Sequence, residues 1–390
     1  MKKVKLAIVL ATFIAISGCK KASKSEMNIE QDLVVTTFAG SGSSAYKDGI
    51  GNRASFSLPS SIVCDSKGNI FVADARNARI RKVTPSGEVS TFAGSGIPGY
   101  ADGTGIAAQF GNGDNCLAID AQNNLYLTDT KNSCIRKITP DGIVSTFAGK
   151  PGRSFKDGPI ASAGFEMGSG DNINSIDIDA SNNIYLLDNG SVRKIAANGD
   201  VSTFVKVGST NTSGPAGIAT IAQPITFTLD KTGNLYVIAT RNFSDYVVRK
   251  VTPNGTVSII TDAVDKGYVN GDGLIAKFSD PRGMATDKDG NIYIAEATSH
   301  VIRKISTDNF VSTYAGIQYI ANTQSAIDGL VLQSKFAEPQ DIAFDSNGIM
   351  YVLERSFSNI RKISLVDKPT TPPTQAEIDK ANWNKATNWK

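Results

Sequence analysis

The stretch DSKGNIFVADARNARIRKVTPSGEVSTFAG occupies residues 65–94 and contains the pattern that repeats along this chain. Its opening string, Asp-x-x-Gly/Asn-Asn-Ile/Leu-Phe/Tyr, begins at Asp65, Asp120, Asp179, Asp230 and Asp287, and an altered sixth copy begins at Asp345. Each copy is followed by an Arg-Lys pair between aliphatic residues, as in IRKV at residues 80–83. Successive starts are 55, 59, 51, 57 and 58 residues apart, which indicates six units of one supersecondary structure.

Within one unit the apolar residues alternate or form short runs, which is typical of strands. In the first unit the predicted strands are SIVCD, NIFVAD, RIRKVT and EVSTFAG. The strings DSKGN and TPSGE separate them and place Asp, Pro and Gly where tight turns need them. A four-stranded antiparallel meander repeated six times predicts an all-β fold, a six-bladed β-propeller.

The chain also begins with the end of its own repeat. LVVTTFAG at residues 33–40 matches the fourth strand of a unit. The sixth unit instead continues as IRKISLVDKPTTPP, with Pro369 where the repeat would place a valine of that strand. We therefore expect the N-terminal strand to complete the last blade, so that the ring closes without an open sheet edge. The propeller is predicted to span residues 33–367.

The first 19 residues have the features of a secretory signal. Lys2, Lys3 and Lys5 precede an apolar run over residues 6–16, which is shorter than the ~20 residues of a membrane-spanning helix. The string ISGC that follows resembles the lipobox of bacterial lipoproteins, which implies that Cys19 becomes the lipidated first residue of the mature chain. Lys20 follows in place of the Asp of inner-membrane retention, which favours the outer membrane in a Gram-negative cell. Residues 20–32 are polar and are predicted to form a flexible tether.

The composition argues against a nucleic-acid-binding protein. The chain has 40 Lys and Arg against 37 Asp and Glu, and removal of the three lysines in the signal leaves 37 against 37. A neutral mature chain lacks the basic field that attracts phosphates. Besides Cys19 the chain has Cys64, Cys116 and Cys134, an odd number that does not suit a disulfide framework. Buried thiols are expected, with a Cys116–Cys134 bridge as the alternative.

The repeat resembles the NHL repeat of bacterial extracellular propellers, and the resemblance covers all six units. The intervening GSGSSAYKDGIGNRASFSLPSSI at residues 40–62 is similar to the long connectors of bacterial NHL proteins. The resemblance implies the same propeller fold. It implies no single function, because NHL propellers include binding platforms, sensor domains and a few enzymes.

Residues that recur in every blade are expected to serve the blade rather than a ligand. An acid stands nine positions after the repeat Asp in five blades, at Asp74, Asp129, Asp188, Glu296 and Glu354, and blade 4 has Ala239. An ion pair with the arginine of the Arg-Lys pair, for example Asp74 with Arg81, is favoured over an acidic ring that binds a ligand. Five connectors contain an Asp-Gly pair followed by a Phe that is interpreted as a loop anchor. These pairs begin at Asp48, Asp102, Asp157, Asp272 and Asp328.

Residues that vary between blades are the candidates for a ligand site. The residues five positions before the repeat Asp, at the entry to the innermost strand, are Ser60, Asn115, Asn174, Ile225, Arg282 and Gln340. Three acids lie beside them, at Asp114, Asp171 and Asp341. We expect these side chains to gather where the channel opens on the face of the long connectors. They either line a wet channel or bind a polar ligand at its mouth, where Arg282 suits a carboxylate or a polar glycan.

Catalysis has little support in the sequence. His300 is the only histidine and falls in a hairpin loop of blade 5, away from the innermost strands. This disfavours propeller lyases and quinoprotein dehydrogenases, which need channel histidines. One enzymatic alternative is a metal-dependent hydrolase of the six-bladed sugar-lactonase type. In it Asn115, Asn174, Asp171 and Asp341 would hold a divalent metal such as calcium, although their spacing matches no motif.

The favoured function is therefore a non-catalytic, lipid-anchored propeller of the cell envelope that needs no cofactor and binds a protein or glycan ligand. Its contact with the membrane is expected through the lipid alone, and a monomer is the default expectation. Residues 368–390 are predicted to be a Pro/Thr-rich spacer and a C-terminal tail. The tail contains Trp383 and Trp389 and is interpreted as a frayed terminus, with a docking segment as the alternative.

Overall fold

The computed structural model describes residues 31–167, 175–206, 208, 211–215, 219–240, 245–318 and 326–367. The chain divides into residues 32–366 and a second unit made of the two terminal segments, of which only Gln31 and Asp367 are described. The predicted signal with Cys19, nearly all of the predicted tether and the predicted tail with Trp383 and Trp389 lie outside the described residues.

The described residues are almost entirely strands, turns and connectors. In chain order the strands are β1 (Gln31–Ala39), β2 (Gly49–Ile50), β3 (Ser61–Cys64), β4 (Ile70–Asp74), β5 (Arg79–Val83), β6 (Glu88–Ala93), β7 (Gly103–Thr104), β8 (Leu117–Ile119), β9 (Leu125–Asp129), β10 (Cys134–Ile138), β11 (Ile143–Gly149), β12 (Gly158–Pro159), β13 (Ile176–Ile178), β14 (Ile184–Asp188), β15 (Ser191–Ile195), β16 (Asp200–Val205), β17 (Pro224–Leu229), β18 (Leu235–Thr240), β19 (Tyr246–Val251), β20 (Val257–Ile259), β21 (Gly271–Asp272), β22 (Pro281–Thr286), β23 (Ile292–Glu296), β24 (Val301–Ile305), β25 (Phe310–Ala315), β26 (Gly329–Leu330), β27 (Pro339–Phe344), β28 (Met350–Glu354) and β29 (Asn359–Asp367). Short 3₁₀ helices lie at Gly51–Arg53, Ala75–Asn77, Gly105–Ala107 and Thr130–Asn132.

These strands form six separate antiparallel sheets, which are the six predicted blades. In blade 1 the order from the outer edge to the centre is β2-β6-β5-β4-β3, and blades 2, 3 and 5 repeat it. The innermost strands β3, β8, β13, β17, β22 and β27 each contact the next one around the ring. The predicted six-bladed propeller is confirmed.

The N-terminal strand completes blade 6, as predicted from its sequence. β1 lies between β29 and the short β26 in that sheet, so the two ends of the chain share one blade. Val35 of β1 pairs with Gly329, and the Gln31 amide donates to the Asp367 carboxylate at 2.8 Å. Gly40 ends the strand at φ +105°, and a Cβ there would lie 2.6 Å from the Ser358 carbonyl oxygen. The glycine of each FAG string is therefore required by a close approach of backbone to backbone.

A two-residue fifth strand covers the outer edge of five blades, at β2, β7, β12, β21 and β26. Each lies in the connector that precedes its blade and leaves less of the outer edge free to pair with another chain. Blade 4 has four described strands, and the described residues of its connector contribute one bridge, from Gly214 to Val257. This is the connector whose sequence departs from the repeat.

A buried arginine holds each connector to its blade. Arg81 is fully buried and donates to Asp74 at 2.8 Å and to Asp48 at 2.5 Å, and its guanidinium lies 5.3 Å from the ring centre of Phe56. The predicted ion pair and the predicted loop anchor are thus both confirmed in blade 1. Equivalent buried pairs join Asp129 to Arg136, Asp188 to Arg193, Glu296 to Arg303 and Glu354 to Arg361.

Two blades vary this arrangement. In blade 4, where Ala239 replaces the acid, Arg249 pairs with Asp262 and donates to the Thr261 carbonyl at 2.5 Å. In blade 5 the buried Arg303 donates to the side chain of Asn270 and not to Asp272. The assignment of Asp272-Gly273 as the repeat pair is therefore wrong by two residues. Gly271 pairs with the outer strand as Gly49 does in blade 1.

Candidate functional site

The six innermost strands surround a cavity of about 270 Å³ on the axis of the propeller. Each of these strands pairs on one side with its own blade and leaves its other backbone edge toward the channel. Unpaired backbone N–H groups need acceptors, and the preceding blade supplies them. The Leu117 N–H donates to Ser61 Oγ at 3.1 Å, for example.

The strand register determines which side chains border the cavity. Three positions before the repeat Asp, every blade has an apolar residue that packs in the clusters between blades. These residues are Ile62, Leu117, Ile176, Phe227, Met284 and Ile342. Because side chains alternate along a strand, the positions two and four before the repeat Asp share the opposite side. The residues four positions before the repeat Asp all border the cavity, and they are Ser61, Cys116, Ser175, Thr226, Gly283 and Asp341.

Three of the predicted site residues border the cavity, namely Ser60, Gln340 and Asp341. The Ser60 hydroxyl donates to the Asn115 carbonyl at 2.6 Å. Gln340 departs from the alternation because β27 has a register shift between Pro339 and Asp341. It is only 7% exposed, and its carboxamide has no hydrogen-bond partner among the described residues. Its amide nitrogen and oxygen are not fully enclosed, so water or a ligand can satisfy them.

The predicted Asn115 and Asp114 do not border the cavity. The Asn115 amide donates to the Gly111 carbonyl at 3.1 Å, and its oxygen accepts from both the backbone N–H and the hydroxyl of Thr130 at 3.0 Å. Asn115 therefore fastens its own connector. Asp114 forms an ion pair with Arg355 of blade 6 at 3.0 Å.

Arg282 likewise lies beside the cavity lining rather than in it. It pairs with Asp280, two residues earlier, at 3.0 Å, and the hydroxyl of Thr298 donates to the same carboxylate at 3.1 Å. The remaining two predicted residues, Asp171 and Asn174, lie outside the described residues.

Two carboxylates border the cavity from opposite blades. Asp341 of blade 6 accepts from the Ser61 hydroxyl at 2.9 Å, from the Ile62 N–H at 3.0 Å and from the Ile342 N–H at 2.9 Å. Asp177 of blade 3 accepts from the Leu229 and Ile178 N–H groups, both at 2.8 Å. Each carboxylate therefore caps the free strand edge of the following blade.

Their surroundings make both carboxylates weaker acids. Burial raises the pKa of Asp341 to about 6, and the negative charge of Asp177 adds to this shift. Burial likewise raises the pKa of Asp177 to about 6, with a smaller contribution from Asp179. The N–H donors oppose both shifts because they stabilise the ionised form.

Asp177 was missed in the sequence. It stands two positions before the repeat Asp179, whereas the residues predicted from the sequence stand at the entry to each innermost strand. The sequence did contain a clue to Asp177. An apolar residue recurs three positions before every repeat Asp, and strand alternation then places the residues two and four positions before that Asp on the cavity side.

The thiols and the histidine have structural surroundings. Cys64, Cys116 and Cys134 form no disulfide, so the alternative Cys116–Cys134 bridge is not formed. Burial raises the pKa of Cys116 well above its usual value, which keeps that thiol neutral beside the cavity. His300 lies in the blade 5 hairpin, where its Nδ1 accepts from the Glu338 N–H at 3.3 Å and burial lowers its pKa.

Two kinds of feature are absent from the described part of the chain. There, no three His, Cys, Asp or Glu side chains are grouped so that they would hold a metal ion. Within the same residues, no helix has the length and apolar character needed to cross a bilayer.

Solved structures with the same fold include two from Bacteroides thetaiotaomicron. A protein of unknown function from Bacteroides thetaiotaomicron superposes with a TM-score of 0.65, is 22% identical, and the match covers 86% of this chain and 77% of that one. An auxiliary nutrient binding protein from the same organism has a TM-score of 0.62 and 15% identity, over 88% of this chain and 79% of that one. At these identities the likeness concerns the propeller fold alone.

Sequence relatives match shorter stretches. SUPPRESSOR OF QUENCHING 1 of Arabidopsis thaliana is 36% identical over 92 residues, which are 23% of this chain and 9% of that protein. The chain spans about a tenth of the length of the curated relatives it matches. No family model matches the chain, so the resemblance to NHL repeats rests on the repeat motif.

Proposed function

We propose that this protein is an NHL-type propeller of the cell envelope that binds a protein or glycan ligand at the mouth of its channel and has no chemistry of its own. The observation that carries the proposal is the cavity of about 270 Å³, whose lining includes Gln340. The carboxamide of Gln340 has no hydrogen-bond partner among the described residues and is not fully enclosed, so it can bind a ligand. A concave site with a few convergent polar groups is the usual form of a ligand pocket.

The scaffold around this cavity supports binding rather than reaction. Each repeated acid faces an arginine inside its blade, and Asn115 is committed to its connector. The fold-level likeness to an auxiliary nutrient binding protein is compatible with the proposal and does not identify the ligand.

A binding screen tests this function. The full-length protein, extracted in mild detergent, is applied to arrays of glycans and of envelope-derived peptides, with and without calcium. We expect at least one glycan or peptide to be retained, and Gln340→Ala to weaken its retention while the melting temperature stays within about 2 °C. A stoichiometric divalent ion together with lactone hydrolysis that a chelator abolishes would overturn the proposal in favour of the lactonase alternative.

The proposal includes a lipid anchor on Cys19, followed by a tether over residues 20–32 and the propeller over residues 33–367. The motif ISGC after an apolar run supports it. Cells are labelled metabolically with a fatty-acid analogue, and we expect the wild-type protein to be labelled in the membrane fraction. Cys19→Ala is expected to lose the label, and Cys64→Ala to keep it. Undiminished labelling of Cys19→Ala would contradict the anchor.

A further inference from the structure

The two cavity carboxylates have no cationic partner, unlike the acids inside the blades. Asp74, Asp129, Asp188, Glu296 and Glu354 each contact a buried arginine at 2.7–3.1 Å. Asp177 and Asp341 instead accept hydrogen bonds from neutral groups only, among the described residues. Burying a carboxylate without an opposite charge is costly, so these two sites favour a cation that arrives from outside.

The rest of the lining offers no such cation. No lysine, arginine or histidine is among the described residues that border the cavity. The side chains that do are hydroxyls, apolar groups, the neutral thiols of Cys64 and Cys116, and the Gln340 carboxamide. The cavity is therefore negative when its two carboxylates are ionised, and it holds an unpaired amide oxygen that accepts hydrogen bonds.

The arrangement suits an ammonium group better than a metal ion. Calcium takes six to eight oxygen ligands around one point. Asp341 and Asp177 lie on opposite blades, and they stand four and two positions before their repeat aspartates, so they approach the axis at different depths. An ammonium has three donors that point to separate acceptors, and hydroxyls on the same ligand reach the second carboxylate.

We propose that the channel cavity binds a small amine-bearing sugar, whose ammonium group is held by Asp341 and the Gln340 carboxamide oxygen and whose remaining donors face Asp177. This inference rests on the proposed binding function and names the ligand class of the same site. Asp341, rather than Arg282, is then the residue that selects the ligand's charge, because Arg282 already pairs with Asp280.

Binding is expected to strengthen as the pH rises through the range in which the carboxylates ionise. Burial raises the pKa of Asp341 and of Asp177 to about 6. Below that value they are neutral and attract an ammonium weakly, and above it both are ionised. The thiols of Cys64 and Cys116 stay neutral throughout this range because burial raises their pKa.

The experiment is calorimetric titration of the full-length protein in mild detergent with glucosamine, N-acetylglucosamine and glucuronate at pH 5 and pH 7. These probes keep the sugar ring and change its charge from positive to neutral to negative. We expect glucosamine to bind at pH 7 at least about tenfold more tightly than N-acetylglucosamine, and to lose about tenfold at pH 5. Glucuronate is expected not to bind.

The variants Asp341→Asn and Asp177→Asn keep an acceptor oxygen for the neighbouring strand and remove the charge. Each is expected to weaken glucosamine binding about tenfold or more at pH 7 and to flatten its pH dependence. Asp141→Asn, which removes an exposed turn carboxylate, is the matched control and is expected to leave binding unchanged. If either cavity variant fails to fold, Gln340→Glu provides the second measurement, because a third acid is expected to tighten glucosamine binding.

The outcomes separate the two proposals. Equal affinity for glucosamine and N-acetylglucosamine, or an unchanged affinity in Asp341→Asn, overturns the ammonium site while the binding function stands. Failure of every sugar here, together with failure of every glycan and peptide in the screen, overturns both. Tighter binding of glucosamine that depends on Asp341 and on pH supports both.

Discussion

Deletion of residues 20–40 is expected to make the protein aggregate or to lower its unfolding free energy by on the order of 5 kcal/mol or more, whereas deletion of residues 20–30 is expected to be silent. The longer deletion removes β1, in which Val35 and Ala39 are fully buried and Phe38 contacts the ring of Tyr351 at a centroid distance of 5.3 Å. It removes several buried side chains, each worth about 1.5–3 kcal/mol when apolar and large. It also leaves β29 as an unpaired edge.

Thermal melting and size-exclusion chromatography of the two truncated proteins measure this difference. The shorter deletion retains Gln31 and its contact with Asp367, so it is a matched control for loss of residues 20–30 alone. Equal melting temperatures for both deletions would contradict closure of the ring by the N-terminal strand.

Asp129→Ala is expected to destabilise the protein by about 3–5 kcal/mol, because it leaves the Arg136 guanidinium buried without its inner partner. Asp129 also accepts from the Gly111 N–H at 3.0 Å and from the Asn132 amide at 2.8 Å, so the connector loses its attachment as well. Chemical unfolding monitored by circular dichroism gives the change in free energy.

The same arginine supplies the control for this prediction. Asp102, which contacts Arg136 at 2.7 Å, is 53% exposed, and Asp102→Asn is expected to cost less than about 1 kcal/mol. The double variant Asp129→Ala/Arg136→Met is expected to recover part of the loss, since it removes the unpaired buried charge. A cost below 1 kcal/mol for Asp129→Ala would show that the pair does not hold the connector.

Much of the architecture follows from local patterns in the sequence. Period-two apolar patterns identify strands because side chains alternate across a sheet, and Asp, Pro and Gly mark the turns because few residues adopt their backbone angles. The sixfold recurrence then determines the number of blades. The mismatch between the first and last units predicts that the ends share a blade, which the position of β1 confirms.

The ion pairs inside the blades could also be predicted from the sequence, because the acid and the arginine lie on facing strands of one hairpin. The exception in blade 5 shows the limit of spacing alone. In blade 5 Asn270 accepts the hydrogen bond from Arg303 that the connector Asp accepts in blade 1, and Asp272 resembles that Asp only in sequence. Which of two neighbouring polar residues contacts the arginine depends on the pairing of β21 with β25.

The sequence by itself therefore determined the fold, the number of blades and the acid–arginine pairing inside five of the blades, because these depend on contacts between residues near in sequence or repeated at a fixed period. Closure of the ring joins β1 to β29, 336 residues apart at Gln31 and Asp367, and it could be predicted because β1 carries the strand that the last repeat lacks. Only the tertiary structure decided the site. Whether Asn115 or Arg282 reaches the channel depends on loop partners such as Thr130 and Asp280, which no period reveals. Asp177 and Asp341 face one cavity only because six innermost strands from distant parts of the chain meet at the axis with a common register, and a shift of one residue would turn each carboxylate toward the core.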